Sequence, residues 1–431
     1  MSLDTMMDKT AFQKISVVGL GYIGLPTAAV FASRKVSVLG VDVNQTAVDT
    51  INRGEIHIVE PDLDIVVRAT VSEGYLRAST KPEPAEAFLI AVPTPFKGDN
   101  HEPDLRYIEA AAWAIAPVLE VGNLVVLEST SPVGATEQMA AWLAEARPDL
   151  TFPQTHGEAS DIRIAHCPER VLPGRVMQEL VQNDRIIGGM SPRCSERATA
   201  LYKIFVQGTC ISTDARSAEM SKITENSFRD VNIAFANELS LICDRLGLDV
   251  WEVIRLANHH PRVSILTPGP GVGGHCIAVD PWFIVASAPD EALMIKTARN
   301  VNDGKPSWVL SKVENTIAAC LAQNPGKTRE TVRVACYGLA FKQDIDDLRE
   351  SPALEITRQL AARHSGPVLA VEPNIEILPK TLDGVSLVTL PEAQNSADVH
   401  IYLVAHKPFR ELSTPGQFHV DTIGLFSASK G

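Results

Sequence analysis

The sequence predicts an α/β protein: two Rossmann-like, doubly wound α/β domains joined by a central helical region with one long helix. Three observations lead there. Short apolar runs alternate with amphipathic stretches from Lys14 to about Pro192, and a stretch without Pro or internal Gly then continues for about nine helical turns. After a polar linker at 323–330 the alternation resumes. Strand–helix alternation builds parallel sheets covered on both faces, because each parallel pair needs a crossover. At 431 residues the chain exceeds what one hydrophobic core usually carries. The expected division is 1–205 and 326–431 as the α/β domains, with 206–325 as the helical middle.

The runs "KISVVGL", "VSVLGVD", "AFLIAVP", "NLVVLEST" and "RIIGG" have the length and apolar density of strands buried on both faces. Between them "LPTAAVFASRK" and "LRYIEAAAWAIAPVLE" carry helical periodicity. The segment "DARSAEMSKITENSFRDVNIAFANELSLICDRLG" reads as one helix stopped by Gly247. Its broad apolar face offers a homodimer surface; a self-contained helical subdomain accounts for it equally well. "WEVIRLAN" and 290–322 continue the helical region. Beyond "QNPGKTRE", the runs "VRVACYGL", "PVLAVEP" and "DVHIYLVAH" return as strands, with a helix at "SPALEITRQLAARH".

The formal charge of −13 argues against a broad nucleic-acid or membrane surface, which needs clustered cations. "MSLDTMMDKTAFQK" lacks the apolar centre of a signal peptide, and no run of 18 apolar residues occurs. Seven dispersed cysteines without a CxxC pair or zinc spacing fit a reducing cytoplasm and no metal site.

"VVGLGYIGLP" sets Gly19, Gly21 and Gly24 as GxGxxG between a strand and a helix, and the next strand ends at Asp42. Glycines there permit a tight turn and close approach of a pyrophosphate to the helix N-terminus, while an acid accepts hydrogen bonds from ribose hydroxyls. An acid would also repel a 2′-phosphate, so NAD is the expected cofactor. "VPTP" and "ESTSPVG" end later strands, placing Thr94 and Thr130 where ligands sit in open sheets; turn chemistry alone would explain their prolines equally well. On the long helix Lys222, Asn226 and Arg229 share one face, as a solvated stripe or as an oxyanion clamp. "GPGVGGHCIAVDP" puts Cys276 in a permissive loop, with Asp280 four residues on. A structural cysteine and a nucleophile are equally compatible with the loop alone. Beside an NAD domain the nucleophile is favoured, since a thiol plus hydride transfer oxidises an aldehyde through a thioester. In "YGLAFKQDIDDLRESPA", Lys342 and Arg349 either supply local cations suited to a diphosphate or form a basic edge balanced by Asp344, Asp346 and Asp347.

Taken together, "GLGYIGLP", "VPTP", "ESTSPVG", "PERVLPG", "AEMSKITENSFRDVNIAFANE", "GPGVGGHC" and "GLAFKQDIDDLRESPA" resemble the UDP-sugar 6-dehydrogenases over nearly the whole chain. The resemblance implies oxidation of a UDP-sugar's C6 alcohol to a carboxylate by a cytoplasmic homodimer without membrane insertion. "PERVLPG", "NHHPRV" and "GGHCIAVDPWF" are most similar to the branch acting on UDP-N-acetyl-D-mannosamine, which serves bacterial surface polysaccharides such as enterobacterial common antigen. UDP-N-acetylglucosamine, UDP-glucose and a non-catalytic sugar-nucleotide sensor are the alternatives. It further implies Cys276 as nucleophile, Lys222 with Asn226 as oxyanion holders, Asp280 and Thr130 ordering a water, and Glu169 as general base. Tyr22, Ile23, Asp42, Thr94 and Thr130 fall at its NAD positions. Its UDP-sugar positions are Arg170, Val171, Lys222, Asn226, Arg229, His260, Arg262, Gly273, Lys342 and Arg349, with Arg262 acting across a dimer interface.

Overall fold

A computed structural model describes residues 12–427, apart from 59, 99, 100, 172, 173 and 275. Two residues of the "PERVLPG" motif and the histidine of "GGHC" therefore lie outside the described residues. Contacts divide the chain into two compact units. One comprises the chain through Glu225 together with Trp282–Ser287; the other holds Asn226–Pro281 and the chain from Ala288 onward.

The first unit is built on an eight-stranded sheet. Its strands are β1 (Lys14–Val18), β2 (Ser37–Val41), β3 (Leu76–Ser79), β4 (Ala87–Ile90), β7 (Leu124–Leu127), β8 (Arg163–His166), β9 (Arg185–Gly189) and β10 (Cys210–Asp214). A two-stranded hairpin, β5 (Phe96–Lys97) with β6 (Glu102–Pro103), interrupts the count. The spatial order β3-β2-β1-β4-β7-β8-β9-β10 reverses direction between β1 and β4, which makes that edge the topological switch point. Alternation along each strand separates two cores. Ile15, Val17, Leu89 and Val126 face one layer of helices, whereas Val18, Phe88, Ile90, Val125 and Leu127 face the other. The expectation of an all-parallel sheet fails at one place: β9 runs antiparallel to β8, with His166 opposite Gly188. Apolar density shows that "RIIGG" is buried but carries no information on its direction.

The second unit contains five parallel strands in the order β13-β12-β11-β14-β15. They are β11 (Val334–Tyr337), β12 (Val368–Val371), β13 (Val385–Leu387), β14 (Val399–Tyr402) and β15 (Phe418–Asp421). Most of the helix Ala215–Leu246 and the helix Leu293–Gln323 also belong to this unit. The first helix ends as the sequence requires: Gly247 takes φ +69°, and Leu248 N–H returns to the Cys243 carbonyl at 2.9 Å. A buried polar network joins the two helices. Arg299 pairs with Asp230 at 2.7 Å, Asn302 donates to Asp230 Oδ1 at 2.8 Å, and Asn237 donates to Asn302 Oδ1 at 2.9 Å. Asn237 Oδ1 then accepts from Gly269 N–H at 2.9 Å, fastening the start of the glycine-rich loop to the helices.

The two sheets share more than their order. Gly19 (φ +89°) and Gly338 (φ +91°) make the same turn after β1 and β11. Their N–H groups donate to the Val41 and Val371 carbonyls at 2.8 and 2.9 Å. The next amides, Leu20 and Leu339, donate to Asp42 and Glu372 at 2.8 and 2.7 Å.

Candidate active site

At the first of these turns each glycine has a distinct reason. A Cβ on Gly24 would stand 1.7 Å from the Gly19 carbonyl oxygen, so only glycine lets the helix Gly24–Ser33 start against the turn. A Cβ on Gly21 would meet nothing within 4 Å, so that glycine leaves open space at the helix N-terminus rather than relieving a clash. Ile23 is the residue immediately before that helix, and Tyr22 is 39% exposed. Asp42 accepts from Leu20 N–H at 2.8 Å and from Asn44 N–H at 2.9 Å, one to each carboxylate oxygen. A carboxylate offers about four lone-pair sites, which leaves capacity for ribose hydroxyls. Thr94 follows β4, and its hydroxyl is buried without a protein partner. Thr130, half-buried, follows β7. Beside it Ser129 Oγ donates to the Val92 carbonyl at 2.7 Å and ties the two strand ends together. Open space at Gly21, spare acceptor capacity at Asp42 and an orphaned hydroxyl at Thr94 fit NAD.

The corresponding acid of the second unit has no such capacity. Glu372 accepts from Leu339, Ala340 and Asn374 N–H groups, from the Asn374 amide and from His406 Nε2, the last at 2.9 Å. His406 Nδ1 accepts from Asp344 N–H at 2.9 Å, which assigns the other ring nitrogen as the donor to Glu372. The pair thereby holds the loop that carries Lys342.

Glu169, two residues beyond Cys167, is 7% exposed. Its Oε1 accepts from Arg170 N–H at 2.7 Å, and its Oε2 lies 2.8 Å from Arg185 Nη2 without hydrogen-bond alignment. Arg170 pairs with Glu225 at 2.7 Å, and Val171 is half-buried beside it. On the long helix Lys222 is half-buried, Asn226 is buried and Arg229 is exposed, so the shared face is not a uniform solvated stripe. Asn226 Nδ2 donates to Asp280 Oδ2, and both side chains are buried.

Cys276 is exposed, and its carbonyl accepts from Val279 and Asp280 N–H at 3.1 and 2.8 Å. This turn delivers the chain directly into the helix Asp280–Ser287. In the loop before it Gly273 leaves no room for a side chain. A Cβ on Gly273 would meet the Glu350 carbonyl oxygen at 2.5 Å, and Gly274 donates to the Arg349 carbonyl at 3.2 Å. Arg349 itself is paired with Asp347 at 2.6 Å, and Lys342 is exposed. His260 and Arg262 are exposed in the loop after Val250–Ala257, where His260 Nδ1 accepts from Arg262 N–H at 3.3 Å.

Sequence reasoning passed over Glu128, Arg185 and Tyr202, which form a buried polar cluster with Glu169. The available signal was a glutamate ending one apolar strand and an arginine opening another, where neither belongs without a partner.

The family model described as the UDP-glucose/GDP-mannose dehydrogenase family matches residues 13–206 as NAD binding domain, 216–304 as central domain and 335–427 as UDP binding domain. A UDP-N-acetyl-D-mannosamine dehydrogenase of Yersinia pestis is 66% identical over 96% of this chain and 100% of its own. An NDP-N-acetyl-D-galactosaminuronic acid dehydrogenase of Ralstonia nicotianae is 64% identical over 97% of each chain. The solved structure of a UDP-D-ManNAc dehydrogenase from Pyrococcus horikoshii superposes with a TM-score of 0.84 at 36% identity over 96% of both chains. The dinucleotide turn and the three matched domains make the chain a member of the UDP-glucose/GDP-mannose dehydrogenase family, an NAD-dependent dehydrogenase.

Proposed function

We propose that the protein oxidises the C6 alcohol of UDP-N-acetyl-D-mannosamine to the uronate, consuming two NAD and one water per sugar, as a homodimer in the cytoplasm. The product would be the uronic acid that bacterial surface polysaccharides such as enterobacterial common antigen incorporate. The observation that carries the chemistry is the exposed Cys276, opening a backbone turn four residues before a buried Asp280 that is bound to Asn226. A thiol kept at the surface of a glycine-rich loop is accessible to an electrophile, unlike the buried Cys167, Cys243 and Cys336. The similarity to the Yersinia pestis enzyme supports the choice of sugar.

NAD, when bound, would accept the hydride of each oxidation, and in the first the C6 hydroxyl proton leaves to a lysine- or water-mediated base. Cys276 as thiolate adds to the C6 aldehyde, and Lys222 with Asn226 hold the oxyanion of the thiohemiacetal. Loss of the second hydride leaves a thioester. A water ordered by Asp280 and Thr130 gives its proton to Glu169, its oxygen bonds to the acyl carbon, and the carbon–sulfur bond breaks to return the thiolate. Arg170, Val171, Arg229, His260, Arg262, Gly273, Lys342 and Arg349 are assigned to the nucleotide sugar. The exposed Phe228, Phe235, Ile242 and Leu246 of the long helix are assigned to the dimer.

The similarity to the Ralstonia enzyme favours a second sugar, the N-acetylgalactosamine nucleotide. The test is NADH formed per sugar with UDP-N-acetylmannosamine, UDP-N-acetylgalactosamine, UDP-N-acetylglucosamine and UDP-glucose in parallel. Two NADH with the first sugar alone is expected, and Cys276→Ala should form no acid while still binding UDP-sugar. One NADH per sugar would remove the thioester, and two with another sugar would replace the substrate.

A further inference from the structure

Glu169 lies in a cluster whose charges do not balance. Two carboxyl groups, Glu128 and Glu169, face a single cation, Arg185, and all three are buried, at 1%, 7% and 4% exposure. They come together because β9 is reversed. With His166 opposite Gly188, continuing the antiparallel ladder for three residues sets Glu169 across from Arg185. In a fully parallel sheet the first residue of β9 would lie at the opposite edge, away from the strand ends that bear Thr94 and Thr130.

The remaining groups facing the guanidinium are neutral. Arg185 Nη1 approaches Cys167 Sγ at 3.9 Å, and the guanidinium carbon stands 5.0 Å from the Tyr202 ring and 5.7 Å from the Phe205 ring. Burial pushes the Cys167 thiol up to about 12 and the Tyr202 phenol well above its usual range, so neither competes as an anion. Burial disfavours the charge on Arg185, but Glu169 and the other acidic partners outweigh it and keep the guanidinium protonated.

The two carboxyl groups are not equivalent. Glu169 Oε2 is 2.8 Å from Arg185 Nη2, whereas Glu128 Oε1 is 4.0 Å from Nη1 and takes the Tyr202 hydroxyl at 2.6 Å. Glu128 Oε2 is buried with no hydrogen-bond partner, an arrangement that an ionised oxygen tolerates poorly and a protonated one tolerates better. Burial, opposed by Arg185, raises the Glu128 carboxyl to about 7.

We propose that Arg185 is the positioning residue for thioester hydrolysis: its guanidinium, 2.8 Å from Glu169 Oε2, holds that carboxylate in place, while Glu128, 4.0 Å away and bonded to Tyr202, leaves this contact to Glu169. The inference rests on Glu169 being the hydrolytic base. Proton removal from water by a carboxylate requires both its negative charge and its placement, and misplacement of a reacting group by about 1 Å can cost about a hundredfold in rate.

The experiment follows full-length enzyme with UDP-sugar and NAD, reading NADH in the first turnover and the acylated Cys276 by intact-protein mass spectrometry after acid quench. Glu169→Gln is the reference and should accumulate acyl-enzyme. Arg185→Met is expected to accumulate it as well, with hydrolysis slowed about tenfold to a hundredfold and the first hydride transfer nearly unchanged. Arg185→Lys, which keeps the charge but not the two-armed geometry, is expected to recover part of the loss. Equal slowing of both steps in Arg185→Met would reduce Arg185 to a structural residue. If Arg185→Met does not fold, Arg185→Lys carries the test, and hydrolysis at the wild-type rate in that variant overturns the proposal. If Glu169→Gln accumulates acyl-enzyme and the Arg185 variants do not, the base stands and the positioning role falls. If Glu169→Gln accumulates none, the assignment of the base fails and the inference falls with it.

Discussion

Glu128 shows how much a single buried proton can weigh. Its carboxyl is raised to about 7 by burial, with Arg185 and the Tyr202 hydrogen bond opposing and Glu169 reinforcing the shift. In the unfolded chain a glutamate titrates near 4.3. Between those two values the folded state holds a proton that the unfolded state has released. Stability is therefore lost as pH rises through that window and stays lower above it. Glu128→Gln cannot ionise and keeps an acceptor for Tyr202. Relative to wild type it should gain on the order of 3 kcal/mol between pH 4.5 and pH 8. Urea unfolding at both pH values checks this. A constant difference between the two proteins would mean that Glu128 is ionised throughout.

At the scale of elements, the turn between β1 and the helix Gly24–Ser33 separates folding from binding within one motif. Gly24 is required because its backbone touches the Gly19 carbonyl, while Gly21 opens onto empty space. Gly24→Ala should therefore lower stability by about 2 kcal/mol or more, as overpacking against backbone does. Gly21→Ala should leave the melting temperature within about 2 °C, the size of a surface change. Its NAD affinity should fall, because the added methyl occupies ligand space. Thermal unfolding and NAD titration of both variants read the contrast, and a shared loss of stability would refute it. The second unit repeats this turn at Gly338 with another outcome, since His406 occupies the acid that Asp42 leaves accessible. That the two units share strand order and turn geometry is visible only in the fold.

For the whole molecule, the exposed stripe of Phe228, Phe235, Ile242 and Leu246 is the feature with consequences beyond one chain. Three of these recur at seven-residue spacing, which keeps them on nearly one face of the helix. For the proposed homodimer of 46.6 kDa chains, Phe228→Asp with Phe235→Asp should give monomers, as read by sedimentation velocity against the wild type. An unchanged mass would place the dimer surface elsewhere.

The sequence by itself determined the α/β class, the long helix and its glycine stop, the NAD turn, and the surface thiol with Asp280 beside it. These follow from local periodicity, from residues with special backbone freedom and from motifs contiguous in the chain. Only the tertiary structure decided the direction of β9, and with it the meeting of Arg185, Glu128 and Glu169. It also decided that Asn226 is buried against Asp280, and that the second unit's acid is occupied by His406. Those pairings join residues from 16 to 57 positions apart. Apolar density, which announces each strand, is the same whichever way the strand runs, so no local pattern could carry them.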